Sequence, residues 1–320
     1  MCLTNKEKYR KLCEQEITLP VFSKDWWLDA VSTNGEWDVV LIEKGGEIVA
    51  AWPFFLIKKK GFRLITMPCL TQSLGIWIKY PQNQKYVTRL SYEKKIIGEL
   101  INKLPQFDFL SQNFFLFLTN WLPFYWRGFQ QTTRYTYRID LSRSLAEIES
   151  DLDQDNRKAI KKGKSGNLEV VEENNIDSLF LLVKKTFLRQ KTQVPFSKEF
   201  LMKLHAAALR HNLGKVYVAK VGGIPIAAGL FVVDSEAIYY LVGGFDQEHA
   251  AIRPMNFLLW AVICEAKKMG IKHFDFEGSM IEDVEGFFRS FGATQTPYFN
   301  IHKTPSKILR LYKFIKGYLC

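Results

Sequence analysis

The sequence predicts an α+β protein with two similar domains in tandem, each a mixed, mostly antiparallel sheet flanked by helices. Two observations lead to this fold class. The first is a repeat: the Gly-Gly, Ala-Ala and Phe of segment 45–54 recur at identical spacing in segment 222–231, at an offset of 177 residues. The second is the order of predicted helices and strands, part of which recurs in both halves. Each repeated segment predicts a strand, a glycine turn and a strand, and therefore a β-hairpin.

The length of the repeat favours duplication of an entire domain. Solenoid repeats are about 20–50 residues long, so this period is not one of them. A chain of 320 residues has room for two domains of ordinary size. The alternative is that two unrelated hairpins share common turn residues, since Gly-Gly is an ordinary turn between strands.

The composition is typical of a folded globular protein. Apolar residues make up 47% of the chain, and 25 Phe and 8 Trp supply far more burial than a disordered chain carries. The first twenty residues do not resemble a signal peptide. The aromatic segment 107–126 is interrupted by polar residues and Pro123, so no membrane-spanning helix is predicted.

The cysteines and the net charge bear on location and partners. The 5 Cys are scattered, without a Cys-x-x-Cys pair or a spacing typical of a metal site. This pattern predicts a reducing, cytoplasmic location and no metal. The net charge of +11 favours an anionic partner such as a nucleotide, tRNA, phospholipid or cofactor phosphate. The same charge is also compatible with solubility alone.

The first domain is predicted to span residues 1–141. A helix around Trp26 is followed by three strands and by an amphipathic helix with Ile96, Ile97 and Leu100 on one face. The predicted helices are 26–31, 91–104 and 120–126, and the predicted strands are 38–43, 47–58, 62–67, 107–110 and 134–141.

The second domain is predicted to span residues 142–320. A capping box from Ser144 to Glu147 begins its first helix, and Pro254 begins the helix that ends at Gly270. The predicted helices are 144–162, 176–189, 197–211, 254–270, 283–290 and a basic amphipathic helix at 306–319. The predicted strands are 168–172, 215–221, 224–233, 237–243 and 273–277.

The order of these elements matches a known fold. Helices, an antiparallel three-strand meander, a further helix and one more strand follow each other in the second domain. This is the order of the acetyltransferase (GNAT) fold, and the first domain repeats its meander, helix and strand. The expected architecture is therefore two tandem GNAT-like domains.

Segment 274–293 resembles the Fem-type aminoacyltransferases and related tandem GNAT-like acyltransferases. Phe274-Asp-Phe-Glu-Gly278 is similar to their strand ending in aromatic–acidic–aromatic–x–Gly, and Phe287-Phe-Arg-Ser-Phe-Gly292 is similar to their Phe-Lys-Lys-Gly-Phe-Gly. Residues 135–162 resemble the family's domain junction, and residues 22–26 resemble its first helix. The resemblance implies two fused GNAT folds. It also implies transfer of an aminoacyl group from aminoacyl-tRNA to the side-chain amine of a peptidoglycan precursor.

The sequence departs from these families in three respects. The family's double lysine is replaced by Phe288-Arg289, which leaves one cation there. No insertion between the helices at 176–211 is long enough for the tRNA-binding arm of some members. Segment 246–256 lacks the glycine loop with which acetyl-CoA enzymes of this fold hold pyrophosphate. The missing loop disfavours a CoA-dependent acyltransferase acting on an amine or amino sugar, which stays the alternative, and a catalytically inactive binding protein is the second alternative.

The predicted catalytic residues are Asp275, Glu277 and Arg289. The two carboxylates alternate with Phe274 and Phe276, which predicts that both lie on one strand face. An amine nucleophile must lose a proton, and a carboxylate suits that role. The guanidinium of Arg289 suits an oxyanion or a phosphate. Ion pairing at a sheet end is the structural alternative for the carboxylates, and a solvated helix position is the alternative for Arg289.

The predicted substrate-binding residues lie at strand ends, at a helix start and in loops. Two adjacent tyrosines end the third strand of the meander, one on each face, and a cation and an amide begin the buried helix. These residues are Tyr239, Tyr240, Arg253, Asn256, Ser279, Arg189 and Gln193. No cofactor is expected, because the acyl donor, aminoacyl-tRNA or acyl-CoA, is a co-substrate.

Two basic segments suggest further contacts. Five cations in segment 157–164 form a cluster that is either a solvated helix face or a tRNA or nucleotide contact. The predicted helix 306–319 interleaves cations with apolar residues, so it either packs on the body or contacts an anionic membrane peripherally. A cell-envelope precursor as acceptor would make membrane contact useful.

Overall fold

The computed structural model describes residues 3–315, which form two compact units. The first unit comprises residues 3–134 and 297–315, and the second comprises residues 135–296. The units thus divide before the predicted boundary at 141/142. The segment after residue 296, predicted for the second domain, lies in the first unit. Residues 316–319 of the predicted C-terminal helix, together with Cys2 and Cys320, lie outside the described residues.

The first part of the chain begins with helices and continues with strands and two further helices. In chain order they are α1 (Asn5–Gln15), a 3₁₀ turn (Val21–Ser23), α2 (Asp25–Val31), β1 (Glu36–Lys44), β2 (Glu47–Lys59), β3 (Phe62–Thr66), β4 (Trp77–Ile78), α3 (Tyr86–Lys103), β5 (Phe109–Asn113), α4 (Leu122–Tyr125) and β6 (Gln130–Asp140). Helix α1 was not predicted. A capping box between Thr4 and Glu7 begins this helix, and its apolar side buries Tyr9 and Cys13.

The remaining elements follow the predicted order, except that the strand Thr294–Lys303 was not predicted. They are α5 (Leu145–Asp151), α6 (Gln154–Ser165), β7 (Leu168–Glu173), α7 (Asp177–Arg189), α8 (Lys198–Arg210), β8 (Gly214–Val221), β9 (Ile224–Val233), β10 (Ala237–Phe245), a 3₁₀ helix (Gln247–Ile252), α9 (Pro254–Lys268), β11 (His273–Asp275), α10 (Glu282–Arg289), β12 (Thr294–Lys303) and α11 (Lys307–Ile315). The predicted helix 144–162 is two helices, because Asp153 caps a new helix after Leu152 ends the first.

The two units contain sheets with the same core order. In the first unit the order is β1-β2-β3-β5-β12, with β4 paired to β2. In the second unit it is β8-β9-β10-β11-β6, with β7 added on β8. In each sheet the third and fourth strands are parallel, β3 with β5 and β10 with β11, and the other neighbours are antiparallel. Helices α3 and α9 are the corresponding crossovers.

The repeated hairpins agree in detail. Gly45 and Gly46 have φ of 59° and 83°, and Gly222 and Gly223 have φ of 55° and 80°. A turn with positive φ at both central residues is one that glycine adopts without strain. The register of β1 with β2 shifts between Ile42 and Glu43, and that of β8 with β9 shifts between Ala219 and Lys220, at the same 177-residue offset. The predicted equivalence of the hairpins is confirmed.

Each unit has its own apolar core. In the second unit α9 is buried on nearly all sides, and Leu258, Leu259 and Ile263 have no exposed surface. In the first unit α3 packs Ile96, Ile97 and Leu100 beneath the sheet, as their spacing predicted. Within residues 3–315 no helix combines the length and the apolar character that crossing a bilayer requires.

Candidate functional site

The parallel strands β10 and β11 separate after a short common stretch. They pair only from Ala237 to Tyr239 on β10 and from His273 to Asp275 on β11. Beyond this point β10 continues to Phe245, whereas the N–H of Phe276 donates to Tyr137 O on β6 at 2.9 Å. The end of β10 therefore has no β11 partner, and the space beside it is open to a ligand.

A cavity of about 550 Å³ lies at this open end of β10. Its walls come from the C-terminal part of α7, the end of β10, the first turn of α9 and the helix α10. It is lined by Thr186, Arg189, Gln190, Tyr240, Gly243, Gly244, Phe245, Ala250, Arg253, Pro254, Met255, Asn256, Asp283, Val284, Phe287 and Phe288. Four of the predicted binding residues, Arg189, Tyr240, Arg253 and Asn256, thus lie around one cavity.

Two glycines determine the shape of the cavity wall on β10. A Cβ on Gly244 would lie 2.4 Å from the backbone carbon of Leu182, so only glycine lets β10 approach α7 this closely. A Cβ on Gly243 would lie 2.3 Å from the hydroxyl oxygen of Tyr240. These glycines were not predicted as site residues. The sequence feature that could have identified them is a pair of adjacent glycines inside a strand rather than in a turn.

The N-terminus of α9 has few free donors for an anion. Pro254 has no N–H, and the N–H groups of Asn256 and Phe257 donate to Arg253 O at 3.1 and 3.3 Å. The guanidinium of Arg253 forms an ion pair with Asp155 at 2.8 Å. An anion-binding helix start needs unsatisfied N–H groups. This helix start therefore lacks the pyrophosphate cradle whose absence the sequence indicated.

A buried amide chain joins three helices behind the cavity. Asn256 Nδ2 donates to Asn156 Oδ1 on α6 at 2.7 Å, and Asn156 Nδ2 donates to Ser290 Oγ at 2.7 Å. Asn156 is 1% exposed. A buried amide with satisfied hydrogen bonds fixes the relative positions of α6, α9 and the end of α10. Asn256 thus has a positioning role at the cavity, in addition to lining it.

Helix α6 presents a row of cations next to this site. It packs on α9 closely enough that a Cβ on Gly163 would lie 2.2 Å from the ring of Phe257. Its five basic residues are all exposed, and none forms an ion pair within residues 3–315. They are Arg157, Lys158, Lys161, Lys162 and Lys164. A row of unpaired cations attracts polyanions such as the phosphate backbone of a nucleic acid.

Asp275 ends β11 and is bound on both carboxylate oxygens. Thr136 Oγ1 and the N–H of Glu277 donate to its Oδ1 at 2.5 and 2.8 Å, and Arg138 Nε lies 3.2 Å from its Oδ2. Asp275 is 1% exposed. A buried carboxylate with these partners is held in one orientation.

Glu277 lies just beyond β11 in a strained backbone conformation. Its φ is 61°, and the strand ends two residues earlier, at Asp275. The predicted strand 273–277 was therefore too long, and strand alternation does not orient Glu277. Gly278 follows with φ of 68°, where a Cβ would lie 2.0 Å from Tyr135 O. Non-glycine residues with positive φ cost energy and are concentrated at functional sites.

The carboxyl group of Glu277 is buried without a full set of partners. Its Oε1 is buried and has no hydrogen-bond partner within residues 3–315. Burial, followed by the charge of Asp275, raises the pKa of Glu277 well above its ordinary value of 4.5. A carboxylate with a raised pKa is a stronger base than an ordinary one, which suits it to accept a proton from a substrate amine.

The other predicted site residues lie outside the cavity lining. Arg289 Nε donates to Glu285 Oε1 at 3.0 Å, and its side chain is largely exposed. Tyr239 donates to Asp234 Oδ2 at 3.1 Å, and burial raises its pKa. Ser279 Oγ accepts the N–H of Ile281 at 3.0 Å, and Gln193 is exposed between α7 and α8. Asp275 and Glu277 are also absent from the residues that line the cavity.

Several cavity residues were not predicted. Asp283 is the only acidic side chain among the lining residues given above, and Phe287 and Val284 supply apolar wall from the same helix. The pattern that predicted this helix placed Asp283 in its first turn, where acidic residues are ordinary. No group of three or more His, Cys, Asp or Glu residues in the described part of the chain could hold a metal ion.

The raised pKa of Glu277 predicts a pH-dependent stability. In the unfolded chain the carboxyl ionises near its ordinary value of 4.5, whereas in the folded protein it keeps its proton to higher pH. The stabilising effect of that proton is lost as pH rises towards the folded pKa. Glu277→Gln mimics the protonated form, so its Tm should exceed that of the wild type more at pH ~8 than at pH ~5. Thermal unfolding at both pH values measures this.

Glu282→Gln provides the control for that measurement. It removes one carboxylate of the same segment at an exposed position, so it separates the effect of burial from a change in net charge. An equal Tm difference at both pH values for Glu277→Gln would show that Glu277 ionises normally in the folded protein.

Comparison with known proteins agrees with this geometry. A family model described as an acetyltransferase (GNAT) domain matches residues 150–288. The crystal structure of FemX is 12% identical with a TM-score of 0.69, and the similarity covers 94% of this chain and 96% of that one. L-PGS from Bacillus licheniformis is 10% identical with a TM-score of 0.55 and 91% coverage of both chains.

A further solved structure is itself a tandem protein. The tandem GNAT protein from the clavulanic acid biosynthesis pathway is 9% identical with a TM-score of 0.54, over 95% of this chain and 96% of that one. No curated protein matches this chain in sequence. The predicted fold of two tandem GNAT-like domains, and the resemblance to Fem-type proteins at the level of fold, are confirmed. The matching GNAT domain supports an acyltransferase role.

Proposed function

We propose that the protein is an N-acyltransferase whose donor site is the cavity of the second unit. Most specifically, it transfers an aminoacyl group from aminoacyl-tRNA to an amine of a peptidoglycan or other cell-envelope precursor. One observation carries this proposal: the cavity lies at the separation of β10 and β11, beside a helix with five exposed, unpaired cations. That arrangement suits a donor with a small acyl end and a large polyanionic body.

The choice of donor follows from where anionic charge can be bound. Acyl-CoA carries its thioester at one end of a pantetheine arm and its pyrophosphate at the other, and this fold would need free N–H groups at the start of α9 to hold the pyrophosphate. Few of those donors are free, because Pro254 has no N–H and the Asn256 N–H is bonded to Arg253 O, and Arg253 is already paired with Asp155. The free cations lie along α6 instead, which is better placed for the backbone of a tRNA.

The proposed chemistry joins the acceptor amine to the donor carbonyl. The amine, once deprotonated, attacks the carbonyl carbon, the ester C–O bond breaks, and the tRNA 3′-oxygen leaves and takes up a proton. Asp275 is the register partner of Tyr239 on β10, and the next residue, Tyr240, lines the cavity. We assign proton transfer from the amine to Glu277, whose pKa is raised first by burial and then by the neighbouring charge of Asp275. A role for Arg289 in stabilising the oxyanion stays a prediction.

The acceptor determines the expected cellular setting. An envelope precursor carried on lipid would place the reaction at the inner face of the membrane, so we propose a cytoplasmic protein with peripheral membrane contact. Helix α11 supports this contact, because Ile308, Leu311 and Ile315 lie on one face and are each at least 60% exposed. Its cations are Lys307, Arg310 and Lys313.

A donor competition tests the proposed function. The purified protein is incubated with a mixture of charged tRNAs and lipid-linked peptidoglycan precursor, and the products are weighed by mass spectrometry. We expect a precursor heavier by one aminoacyl residue. In parallel, acetyl-CoA is titrated against the protein by calorimetry, with no binding expected below micromolar concentrations. Submicromolar binding of acetyl-CoA would reject the aminoacyl-tRNA donor in favour of the CoA-dependent alternative.

Transfer from neither donor would favour a binding protein without activity. The strained Glu277 and its buried, partnerless oxygen argue against that alternative, since such features cost stability and a pure binding role does not require them.

A further inference from the structure

One surface of the first unit exposes an unusual number of large apolar side chains. It is formed by residues 85–95, at the start of α3, and residues 117–127, around α4, and is called the α3–α4 surface below. Six of its large hydrophobic residues are between 48% and 75% exposed. They are Tyr86, Val87, Phe117, Leu122, Tyr125 and Trp126. Clustered exposure of this kind marks an interaction site rather than an ordinary solvated surface.

The exposed side chains surround a defined depression. A cavity of about 580 Å³ is lined by residues of both segments, including Tyr86, Leu122 and Trp126. Trp121 lies half-buried at its base, with its ring 5.3 Å from that of Tyr125 in an edge-to-face arrangement. The aromatic rings are therefore held by neighbours and are presented to solvent in fixed positions.

The charges of the α3–α4 surface are almost all positive. Its cations are Lys85, Arg89, Lys94, Lys95 and Arg127. Lys94 Nζ lies 4.9 Å from the ring centroid of Trp126, so this cation packs over the aromatic ring. The one acidic residue of the surface, Glu93, is 5% exposed. Its oxygens accept hydrogen bonds from Tyr80, Arg89 and Asn120 at 2.9, 3.2 and 2.9 Å.

We infer that the α3–α4 surface docks on an anionic lipid bilayer. Tyrosine and tryptophan prefer the boundary between headgroups and acyl chains, where an apolar ring and a polar edge are both satisfied. Leu122 and Val87 supply apolar side chains that a water-facing surface does not need. Lysine and arginine next to them are attracted to anionic headgroups. The one carboxylate that would oppose this attraction is buried and fully hydrogen-bonded.

This inference differs from the expected membrane contact of α11 and does not depend on the proposed reaction. Vesicle binding requires neither donor nor acceptor, so it can succeed or fail independently of activity. The probe is a vesicle made of equal parts phosphatidylglycerol and phosphatidylcholine, compared with a vesicle of phosphatidylcholine alone. Binding is measured by co-sedimentation of the full chain.

The wild type should bind the anionic vesicles about tenfold or more tightly than the neutral ones. The double substitution Tyr125→Ser and Trp126→Ser should lower binding to anionic vesicles by about tenfold or more, since it removes two interfacial side chains. Lys94→Glu with Lys95→Glu should abolish the preference for phosphatidylglycerol. Because all four side chains are exposed, thermal unfolding should be unchanged.

Leu181→Ser with Leu188→Ser is the matched control. These α7 residues of the second unit are 56% and 64% exposed, so the substitution removes similar apolar area from another surface. It should not change vesicle binding. A Tyr125/Trp126 variant that binds like the wild type would overturn the inference. Loss of binding only in Ile308→Ser with Leu311→Ser would also overturn it and assign membrane contact to α11. Failure of the wild type to bind anionic vesicles would also overturn the inference and would favour a protein partner for the α3–α4 surface.

Discussion

Replacing Asp275 with Asn and Glu277 with Gln should lower turnover on the donor and acceptor identified above by about 10²–10⁴-fold. Both substitutions keep the shape of the side chain and remove its ability to take up a proton. The group removed is the one whose pKa burial and Asp275 raise well above 4.5, and which is therefore suited to accept a proton from an amine. Initial rates at saturating substrate measure the effect.

The single variant Glu277→Gln separates catalysis from structure. The double variant also disturbs the ion pair of Arg138 with Asp275, whereas Glu277→Gln leaves that pair intact. It should therefore be inactive although at least as stable as the wild type at alkaline pH. The wild-type rate should rise with pH as Glu277 loses its proton, and this rise should be absent from any residual rate of the variant. Wild-type turnover in either variant would show that the two carboxylates are structural.

Deleting residues 297–320 should unfold the first unit and leave the second folded. This deletion removes the part of β12 that pairs with β5 through four register pairs, from Asn300 with Asn113 to Lys303 with Leu110. It also removes the side chain of Ile301, which is fully buried in the core of the first unit. Burial of one such side chain is worth about 1.5–3 kcal/mol, and each ladder hydrogen bond adds about 0.5–1.5 kcal/mol. Together these approach the roughly 5–15 kcal/mol that holds a domain folded.

Hydrogen exchange with mass spectrometry can follow both units in one experiment. Peptides from β1 and β2 should lose protection in the deleted chain, and peptides from β8 and β9 should keep it. A chain that ends at Lys303 is the control, since it retains β12 and lacks α11. Retained protection of β1 and β2 after deletion of residues 297–320 would show that the five strands β1 to β5 suffice for the first unit.

Most of the fold could be predicted because its signals are local. The two hairpins follow from Gly-Gly turns between apolar runs, and the α9 helix follows from Pro254 at its start and Gly270 at its end. The boundary between the units could not be placed this way. Which sheet accepts β6 or β12 depends on contacts between residues far apart in the chain, such as Arg138 with Asp275 or Asn300 with Asn113. Local patterns carry no information on such pairing.

The candidate site was predictable to a similar extent. Tyr240, Arg253 and Asn256 could be grouped because a strand end and the next helix start are close in this topology. The position of Glu277 was assigned on the assumption that β11 continues, but the chain turns away at Asp275 and places Glu277 at positive φ. The steric reason, contact of Gly278 with Tyr135, lies in a strand distant in sequence. Asp283 gave no signal, since acidic residues in a first helical turn are common.

The last strand of each sheet lies far along the chain from the others: β6 precedes the other strands of the second unit, and β12, which completes the first unit, follows them. This arrangement determines the order in which the two units finish folding during synthesis. The sheet of the second unit receives β6 before most of its other strands have been made, so it can close soon after β11 leaves the ribosome. The first unit is translated earlier, yet β5 has an unpaired edge until β12 emerges. The N-terminal half is thus the last to finish folding. Its open strand edge is exposed throughout that interval, and an unpaired edge of this kind is a site at which incompletely folded chains aggregate.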